Sequence, residues 1–184
     1  MSTGIVALAE IGDKTQLLAL VLAARFKKPW LIVLGILVAT IANHALAGAL
    51  GTWVTGMLKP QTLRWLLGAS FLAMAIWMLI PDRLEAEGDE KRPLSRLGIF
   101  GATALVFFLA EMGDKTQIAT VMLAARYDAM AGVVAGTTLG MMLANVPVVF
   151  LGERVMRLVP LRVVRIVSAL VFALLGVLAL LFSA

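Results

Sequence analysis

The sequence contains no cysteine and very little histidine. Without cysteine, the chain has no disulfide framework, no thiolate metal site and no cysteine nucleophile. Among its 184 residues, His44 is the only histidine. Zn²⁺ and Cu²⁺ normally recruit histidine or cysteine ligands, so the chain offers little that would bind either ion. Any metal site in this protein must therefore be built from oxygen ligands.

Apolar residues make up most of what is present. The chain is 61% hydrophobic and has a mean hydropathy of +0.99, whereas a soluble domain is closer to half apolar. The formal charge of +5 is typical of cytoplasmic loops in a membrane protein, so we do not interpret it as a nucleic-acid surface. The N-terminus lacks the basic region and cleavage site of a signal peptide, which favours a mature polytopic protein.

Runs long enough to cross a bilayer, roughly 17–25 residues, recur six times along the chain. The sequence therefore predicts an all-α membrane protein with six transmembrane helices. The predicted spans lie at about 4–25, 31–54, 63–80, 98–125, 130–151 and 162–182.

An internal duplication with a fixed offset of 101 residues organises the chain. The segment "LAEIGDKTQ" begins at Leu8 and "LAEMGDKTQ" begins at Leu109, and 12 of the first 19 aligned positions are identical. The offset continues without a gap as far as Phe71 and Phe172. We therefore predict two transmembrane repeats, each of three helices, at 1–81 and 98–184, joined by a cytoplasmic linker at 82–97.

An odd number of helices per repeat inserts the second repeat with the opposite orientation. Such inverted repeats are typical of secondary transporters, whose sites lie near the bilayer midplane at the repeat interface. Eleven lysines and arginines fall on one predicted side and three on the other, which places the first side in the cytoplasm and both termini outside. The eleven are Arg25, Lys27, Lys28, Arg83, Lys91, Arg92, Arg96, Arg154, Arg157, Arg162 and Arg165; the three are Lys59, Arg64 and Arg126. An alternative interpretation of the linker is a regulatory metal-sensing loop, although its acidic residues lack the regular spacing of a calcium-binding loop.

Each repeat places charged residues in an apolar segment, where one such residue costs about 2.5–3.5 kcal/mol. These side chains should therefore face the protein interior and pair, or line a wet cavity. On a continuous helix Glu10, Asp13 and Lys14 share one face. Gln16 lies at the edge of that face, and Thr15 is expected to point elsewhere, towards a carbonyl group or a neighbouring helix. The second repeat supplies the same pattern with Glu111, Asp114, Lys115, Thr116 and Gln117.

Several positions near the motifs are predicted to support the site. Gly12 and Gly113 permit either a close helix approach or a local break that frees carbonyl groups. His44 and Asn145 are equivalent by the offset, and three roles stay open for them: a helix–helix hydrogen bond, a role beside the site, and for His44 a proton relay. Small residues recur every four positions in the second and fifth spans, which predicts packing surfaces or, alternatively, sliding faces. They are Gly35, Ala39, Asn43, Ala47, Gly51, Gly132, Gly136, Gly140 and Ala144.

The charge of the combined motifs indicates a divalent cation. Four acids and two lysines leave a net charge of −2, which one divalent ion would neutralise. Without that ion, protons are the cheapest replacement, because crowded buried carboxylates titrate as a coupled set. The predicted ligands are Glu10, Asp13, Glu111, Asp114, Gln16 and Gln117. Such oxygen ligands suit Mn²⁺ or Ca²⁺, whereas Mg²⁺ retains its waters.

The duplicated pattern E-x-G-D-[KR]-[ST], followed by a helix ending in Ala-Ala-Arg, resembles the signature of a family of manganese/calcium cation transporters. Its members include Golgi manganese/calcium transporters, chloroplast relatives and bacterial manganese exporters of the MneA type. The resemblance covers essentially the whole chain, with "EIGDKT" at 10–15 and "EMGDKT" at 111–116. It implies proton-coupled transport of Mn²⁺ or Ca²⁺ as substrate, with no cofactor, and coordination of the ion by the four motif acids. The absence of an organellar leader favours export across a bacterial inner membrane.

Two other functional classes are less consistent with the sequence. A proton-coupled transporter of a small organic cation usually needs an aromatic cradle, and only Phe107 and Phe108 lie near a motif. An intramembrane aspartyl protease needs two aspartates that share a proton, which the neighbouring glutamate and lysine residues disfavour. We therefore predict a transporter rather than an enzyme. Its expected partners are a divalent metal ion, protons and the lipid bilayer, with no nucleic acid, and the sequence leaves a homo-oligomer open.

Overall fold

The computed structural model describes residues 2–80, 97–127, 129–152 and 161–182, which contain α-helices and no β-strand. All but one residue of the predicted linker 82–97 lies outside these ranges, as do six of the eleven predicted cytoplasmic cations. The helices are α1 (Ser2–Glu10), α2 (Lys14–Phe26), α3 (Pro29–Met57), α4 (Pro60–Met78), α5 (Gly98–Glu111), α6 (Lys115–Arg126), α7 (Met130–Leu151) and α8 (Leu161–Phe182). The prediction of an all-α protein is confirmed for the described residues.

The first and fourth predicted spans are each interrupted by a short non-helical segment. Between α1 and α2, Gly12 has a φ of 82°, and between α5 and α6, Gly113 has a φ of 79°. Glycine adopts this left-handed conformation readily because it has no Cβ. Of the two alternatives for the glycines, the local break is therefore correct, and neither of the segments at about 4–25 and 98–125 is one continuous helix.

The exterior of the helix assembly is suited to lipid. Three described helices are long and apolar enough to cross a membrane: α3, α7 and residues 162–181 of α8, while α5 is apolar but shorter. Large aliphatic side chains on four helices, Leu46, Ile76, Leu143 and Leu170, expose 58–68% of their surface. Exposed apolar area of this extent marks contact with a non-aqueous environment. These features indicate a multi-pass membrane protein.

Each interrupted helix pair of one half packs against the long helix of the other half. Helices α1 and α2 contact α7, while α5 and α6 contact α3. A Cβ added at Gly35 would lie 2.7 Å from Thr103 Cβ, and one added at Gly140 would lie 2.9 Å from the backbone nitrogen of Ala7. Because such approaches exclude any side chain, these glycines confirm the predicted packing surfaces on the two long helices.

Helices α4 and α8 form the second major contact between the halves. The buried rings of Phe71 and Phe172 lie with their centroids 6.2 Å apart. The two helices can approach closely because Gly176 has no side chain. An added Cβ at this position would lie only 3.1 Å from the carbonyl oxygen of Gly68. Phe71 and Phe172 are equivalent by the offset of 101 residues, so here equivalent residues of the two halves touch each other.

Candidate metal centre

The two motifs meet in the interior of the helix assembly. Glu10, Asp13 and Glu111 each offer a carboxylate oxygen, and these oxygens lie within 4.8 Å of one another. All three side chains are buried, with 1–3% of their surface exposed. Two oxygens on opposite sides of a Ca²⁺ ion, at about 2.3–2.6 Å each, are separated by about 4.6–5.2 Å. The spacing of the three carboxylates therefore matches a single dehydrated cation that is bound directly by the carboxylate oxygens.

The breaks in the helices bring these acids together. Glu10 is the last residue of α1, and Asp13 is the N-cap of α2, with φ −78° and ψ 166°. Asp114 is the N-cap of α6 with nearly the same dihedral angles. A carboxylate at this position lies beside unpaired backbone N–H groups, which favour negative charge. The prediction that Glu10, Asp13 and Lys14 share one face of a continuous helix is wrong, because the chain turns between them.

Each motif threonine holds the glutamate of its own motif. Thr15 Oγ1 donates a hydrogen bond of 2.7 Å to Glu10 Oε2, and Thr116 Oγ1 donates one of 2.8 Å to Glu111 Oε2. The expectation that Thr15 points away from the acids is therefore wrong, since the break places it in the first turn of α2, facing Glu10. The second carboxylate oxygen of Glu111 is buried and has no hydrogen-bond partner in the described part of the chain.

The motif glutamines support the breaks. Gln16 Oε1 accepts a hydrogen bond of 2.8 Å from the backbone nitrogen of Gly12, and Gln117 Oε1 accepts one of 2.6 Å from Gly113. Gln16 Nε2 also donates to the carbonyl oxygen of Ala144 at 2.8 Å, which ties the break to α7. Each of these amide oxygens has a second lone pair that could still bind a metal. Metal ligation by the two glutamines therefore stays a prediction.

Asn43 belongs to the site, although the sequence pattern places it only among the packing residues of α3. Its Nδ2 donates a hydrogen bond of 2.9 Å to the carbonyl oxygen of Phe108, and its Oδ1 lies 3.4 Å from Gln117 Nε2. By the offset Asn43 is equivalent to Ala144, whose carbonyl receives the amide of Gln16. The signal available in the sequence was its polarity, because a polar side chain inside an apolar helix needs partners.

His44 and Asn145 are both fully buried. Asn145 Nδ2 donates to the carbonyl oxygen of Met141 at 3.1 Å, within α7 itself. Neither ring nitrogen of His44 has a hydrogen-bond partner among the described residues. The structure thus gives neither residue the predicted helix–helix hydrogen bond within those residues. A role beside the site, or in proton relay for His44, stays a prediction.

Each motif lysine approaches the aspartate of the other motif. Lys14 Nζ lies 2.7 Å from Asp114 Oδ2, and Lys115 Nζ lies 3.9 Å from Asp13 Oδ1. Lys115 is buried, and its Nζ lies 6.0 Å from the centroid of the Trp77 ring. Asp114, the fourth predicted ligand, is not among the carboxylates whose oxygens converge within 4.8 Å. It is instead engaged by Lys14 and by the backbone N–H of Lys115.

The converging carboxylates require positive charge. Two unit charges separated by at most 4.8 Å repel by about 3.5 kcal/mol or more at an effective dielectric constant of about 20. With Glu10, Asp13 and Glu111 all ionised, three such repulsions act together. The four motif acids and two motif lysines together carry −2 when ionised. Either one divalent cation or two protons would balance that charge, so the site is suited to exchanging one for the other.

Comparison with known proteins places these motifs in context. The family model described as "Divalent cation/proton antiporter GDT1" matches residues 1–86 and 99–184. A protein named "Putative manganese exporter" from Vibrio cholerae is 54% identical over 172 residues, which cover 93% of this chain and 84% of that protein. A GDT1-like protein from Synechocystis is 29% identical over 191 residues, 94% of this chain and 91% of that protein. GDT1-like protein 5 of Arabidopsis thaliana is 26% identical over 209 residues, which cover 95% of this chain and 91% of that protein. No solved structure matches the chain.

Proposed function

The chain belongs to the GDT1 family of divalent cation/proton antiporters, and from this premise we propose that it exports Mn²⁺ from a bacterial cytoplasm in exchange for protons. The similarity to a protein named as a manganese exporter supports Mn²⁺ as the first choice. Ca²⁺ is the second choice, because carboxylate and amide oxygens suit both ions. The metal is the transported substrate in this proposal, and no cofactor is involved.

The observation that carries the proposal is the buried cluster formed by Glu10, Asp13 and Glu111. Two different motifs, separated by 101 residues in sequence, contribute oxygens within 4.8 Å. We assign these three carboxylates as metal ligands and Asp114 as a fourth ligand. Gln16 and Gln117 complete the predicted set through the remaining lone pair of each amide oxygen. Thr15 and Thr116 orient the two glutamates through their hydrogen bonds.

The same cluster explains how the two fluxes are coupled. The carboxylates cannot remain ionised at this separation without a counter-cation, because their mutual repulsion is too large. When the metal leaves, protons take its place, and when the metal returns, the protons must leave. A site that holds either the metal or the protons, but not both, exchanges one for the other across the membrane. Metal affinity and proton occupancy are thereby linked.

We assign six membrane spans to the chain, as two inverted repeats at 1–81 and 98–184. In this assignment α1 with α2, and α5 with α6, each form one interrupted span, which is typical of the midplane sites of secondary transporters. The contact of the equivalent residues Phe71 and Phe172 supports a two-fold relation between the halves. The lysine and arginine bias places the linker 82–97 in the cytoplasm and both termini outside.

Transport assays in liposomes test this proposal. The purified protein is reconstituted with a metal-sensitive dye and a pH-sensitive dye inside, and Mn²⁺, Ca²⁺, Mg²⁺ and Zn²⁺ are added in turn. We expect Mn²⁺ uptake accompanied by proton efflux, with both signals lost in Glu10→Gln and Glu111→Gln. The matched control is Glu153→Gln, which removes an acid outside both motifs and outside the linker and should leave both signals intact. Normal transport by Glu10→Gln would contradict the site, and uptake of an organic cation without metal transport would favour the alternative substrate class.

A further inference from the structure

We propose that Lys14 acts as a tethered cation, which holds Asp114 away from the metal site until the metal displaces it. Lys115, at the equivalent position of the second motif, is instead a fixed part of the site. This inference rests on the proposed function, since it concerns how the same site gains and releases its metal. It makes Lys14 a positioning residue that sets the affinity of the site.

The first observation is that the two equivalent aspartates are in different states. Asp13 contributes an oxygen to the converging cluster, and the ammonium group of Lys115 lies 3.9 Å from its Oδ1. Asp114 contributes none to that cluster, and the ammonium group of Lys14 lies 2.7 Å from its Oδ2. The motifs are identical at these positions, but Asp114 is held both by Lys14 and by a hydrogen bond from the backbone N–H of Lys115. The aspartate held in this way is the one absent from the cluster.

The second observation is that the two lysines differ in exposure and in packing. The Lys14 side chain is 35% exposed, whereas that of Lys115 is 4% exposed. Lys115 is also covered by the ring of Trp77, at a distance that allows a cation–π contact. By the offset of 101 residues, the position equivalent to Trp77 is Leu178, so that position supplies no ring for Lys14.

The chemistry of the lysine side chain fits this role. Its ammonium group is a compact point charge on a flexible stem, without the bidentate geometry that would fix it to a carboxylate. The Lys14 side chain is 35% exposed, whereas its partner Asp114 is buried. If the ammonium group leaves, the buried carboxylate therefore needs another cation in its place. An arriving divalent cation offers Asp114 twice the charge. We therefore expect the metal to displace Lys14, recruit Asp114 as a fourth carboxylate, and lose that ligand again when Lys14 returns.

A double-mutant cycle measures this competition. Mn²⁺ is titrated calorimetrically into the detergent-purified full-length protein and into Lys14→Met, Asp114→Asn and the double variant. Removing the competing ammonium should lower the Kd for Mn²⁺ about fivefold in Lys14→Met, which corresponds to about 1 kcal/mol. In the Asp114→Asn background, the same lysine substitution should change the Kd by less than about twofold, because the carboxylate for which Lys14 competes is gone.

The matched control is Lys115→Met, which removes the same charge from the equivalent position. A general charge effect would tighten binding equally in both lysine variants and in both backgrounds, and that result would overturn the inference. Weaker binding by Lys14→Met would also overturn it. The wild-type protein tests the proposed function separately, since failure to bind either Mn²⁺ or Ca²⁺ would reject the site itself.

A labelling measurement keeps the inference testable if Lys14→Met does not fold. The wild-type protein is treated with a water-soluble amine-acetylating reagent, with and without Mn²⁺, and acetylation of each lysine is quantified by mass spectrometry. We expect acetylation of Lys14 to rise at least about twofold with metal, because the released ammonium group becomes more exposed. Lys115 should remain unlabelled in both conditions. Unchanged or reduced labelling of Lys14 would contradict its displacement.

Discussion

Replacing Gly113 by alanine tests the backbone break that presents the second motif. Gly113 has a φ of 79°, and a Cβ added there would meet no atom within 4 Å. Steric crowding by neighbouring residues is therefore absent, and the backbone conformation is the only source of strain. A left-handed conformation costs an L-residue about 1–2 kcal/mol relative to glycine. We expect the free energy of unfolding of Gly113→Ala to fall by that amount.

The matched control is Gly56→Ala on α3. A Cβ at Gly56 also meets no atom within 4 Å, but Gly56 lies within a helix, where alanine is favoured over glycine by about 0.5–1 kcal/mol. Both variants are unfolded by denaturant titration in mixed detergent micelles, and Gly113→Asn is included because asparagine tolerates the left-handed region. The expected order of stability at position 113 is glycine, then asparagine, then alanine. Equal stability of the wild type and Gly113→Ala would refute the left-handed break.

Three further predictions concern the chemistry of the site. In Thr15→Val, Glu10 loses its hydrogen bond from Thr15 Oγ1. We therefore expect the Kd for Mn²⁺ to rise about five- to tenfold, the effect of one hydrogen bond of about 1 kcal/mol or more. The control is Thr55→Val, because the Thr55 hydroxyl donates to backbone carbonyls of α3 and α6, and this variant should change the Kd by less than about twofold. Because one divalent ion and two protons balance the same charge, we expect the exchange to be electroneutral. Clamping the membrane potential of liposomes with valinomycin and K⁺ should then leave the initial rate of Mn²⁺ uptake unchanged. A rate that follows the membrane potential would contradict an exchange of one metal ion for two protons. Acidification adds protons that compete for the same carboxylates, so the Kd for Mn²⁺ should increase steadily as the pH falls from 8 to 5.5, and a Kd independent of pH would argue against shared sites.

The duplication made much of the site predictable from the sequence. Because both motifs repeat the same acids at one offset, their convergence between two halves could be expected, and Glu10, Asp13 and Glu111 do converge. The orientation of Thr15 could not be derived correctly, because it depends on whether the chain is helical at Gly12. That choice is made by a long-range contact, since Gln16 joins the Gly12 nitrogen to the carbonyl of Ala144 on another helix.

Differences between the two halves were harder to predict than their similarity. The sequences around Lys14 and Lys115 are identical in charge and spacing, so nothing in the motif indicates that one lysine is buried and the other is partly exposed. The buried lysine, Lys115, lies against the ring of Trp77, which belongs to α4 and is distant in sequence from both lysines. Asn43 was missed for a related reason, because its partners Phe108 and Gln117 lie in the other half of the chain.

The packing of each interrupted helix pair against the long helix of the other half has a consequence for how the protein is made. The ribosome synthesises α1 and α2 before α7, the helix against which they pack, exists. During that interval Glu10 and Asp13 have no acidic or basic partner from the second motif, and Lys14 is the nearest opposite charge along the chain. Burial of the first motif against α7 therefore requires the second half of the chain as well. Assembly of the site follows synthesis of the second half and cannot precede it.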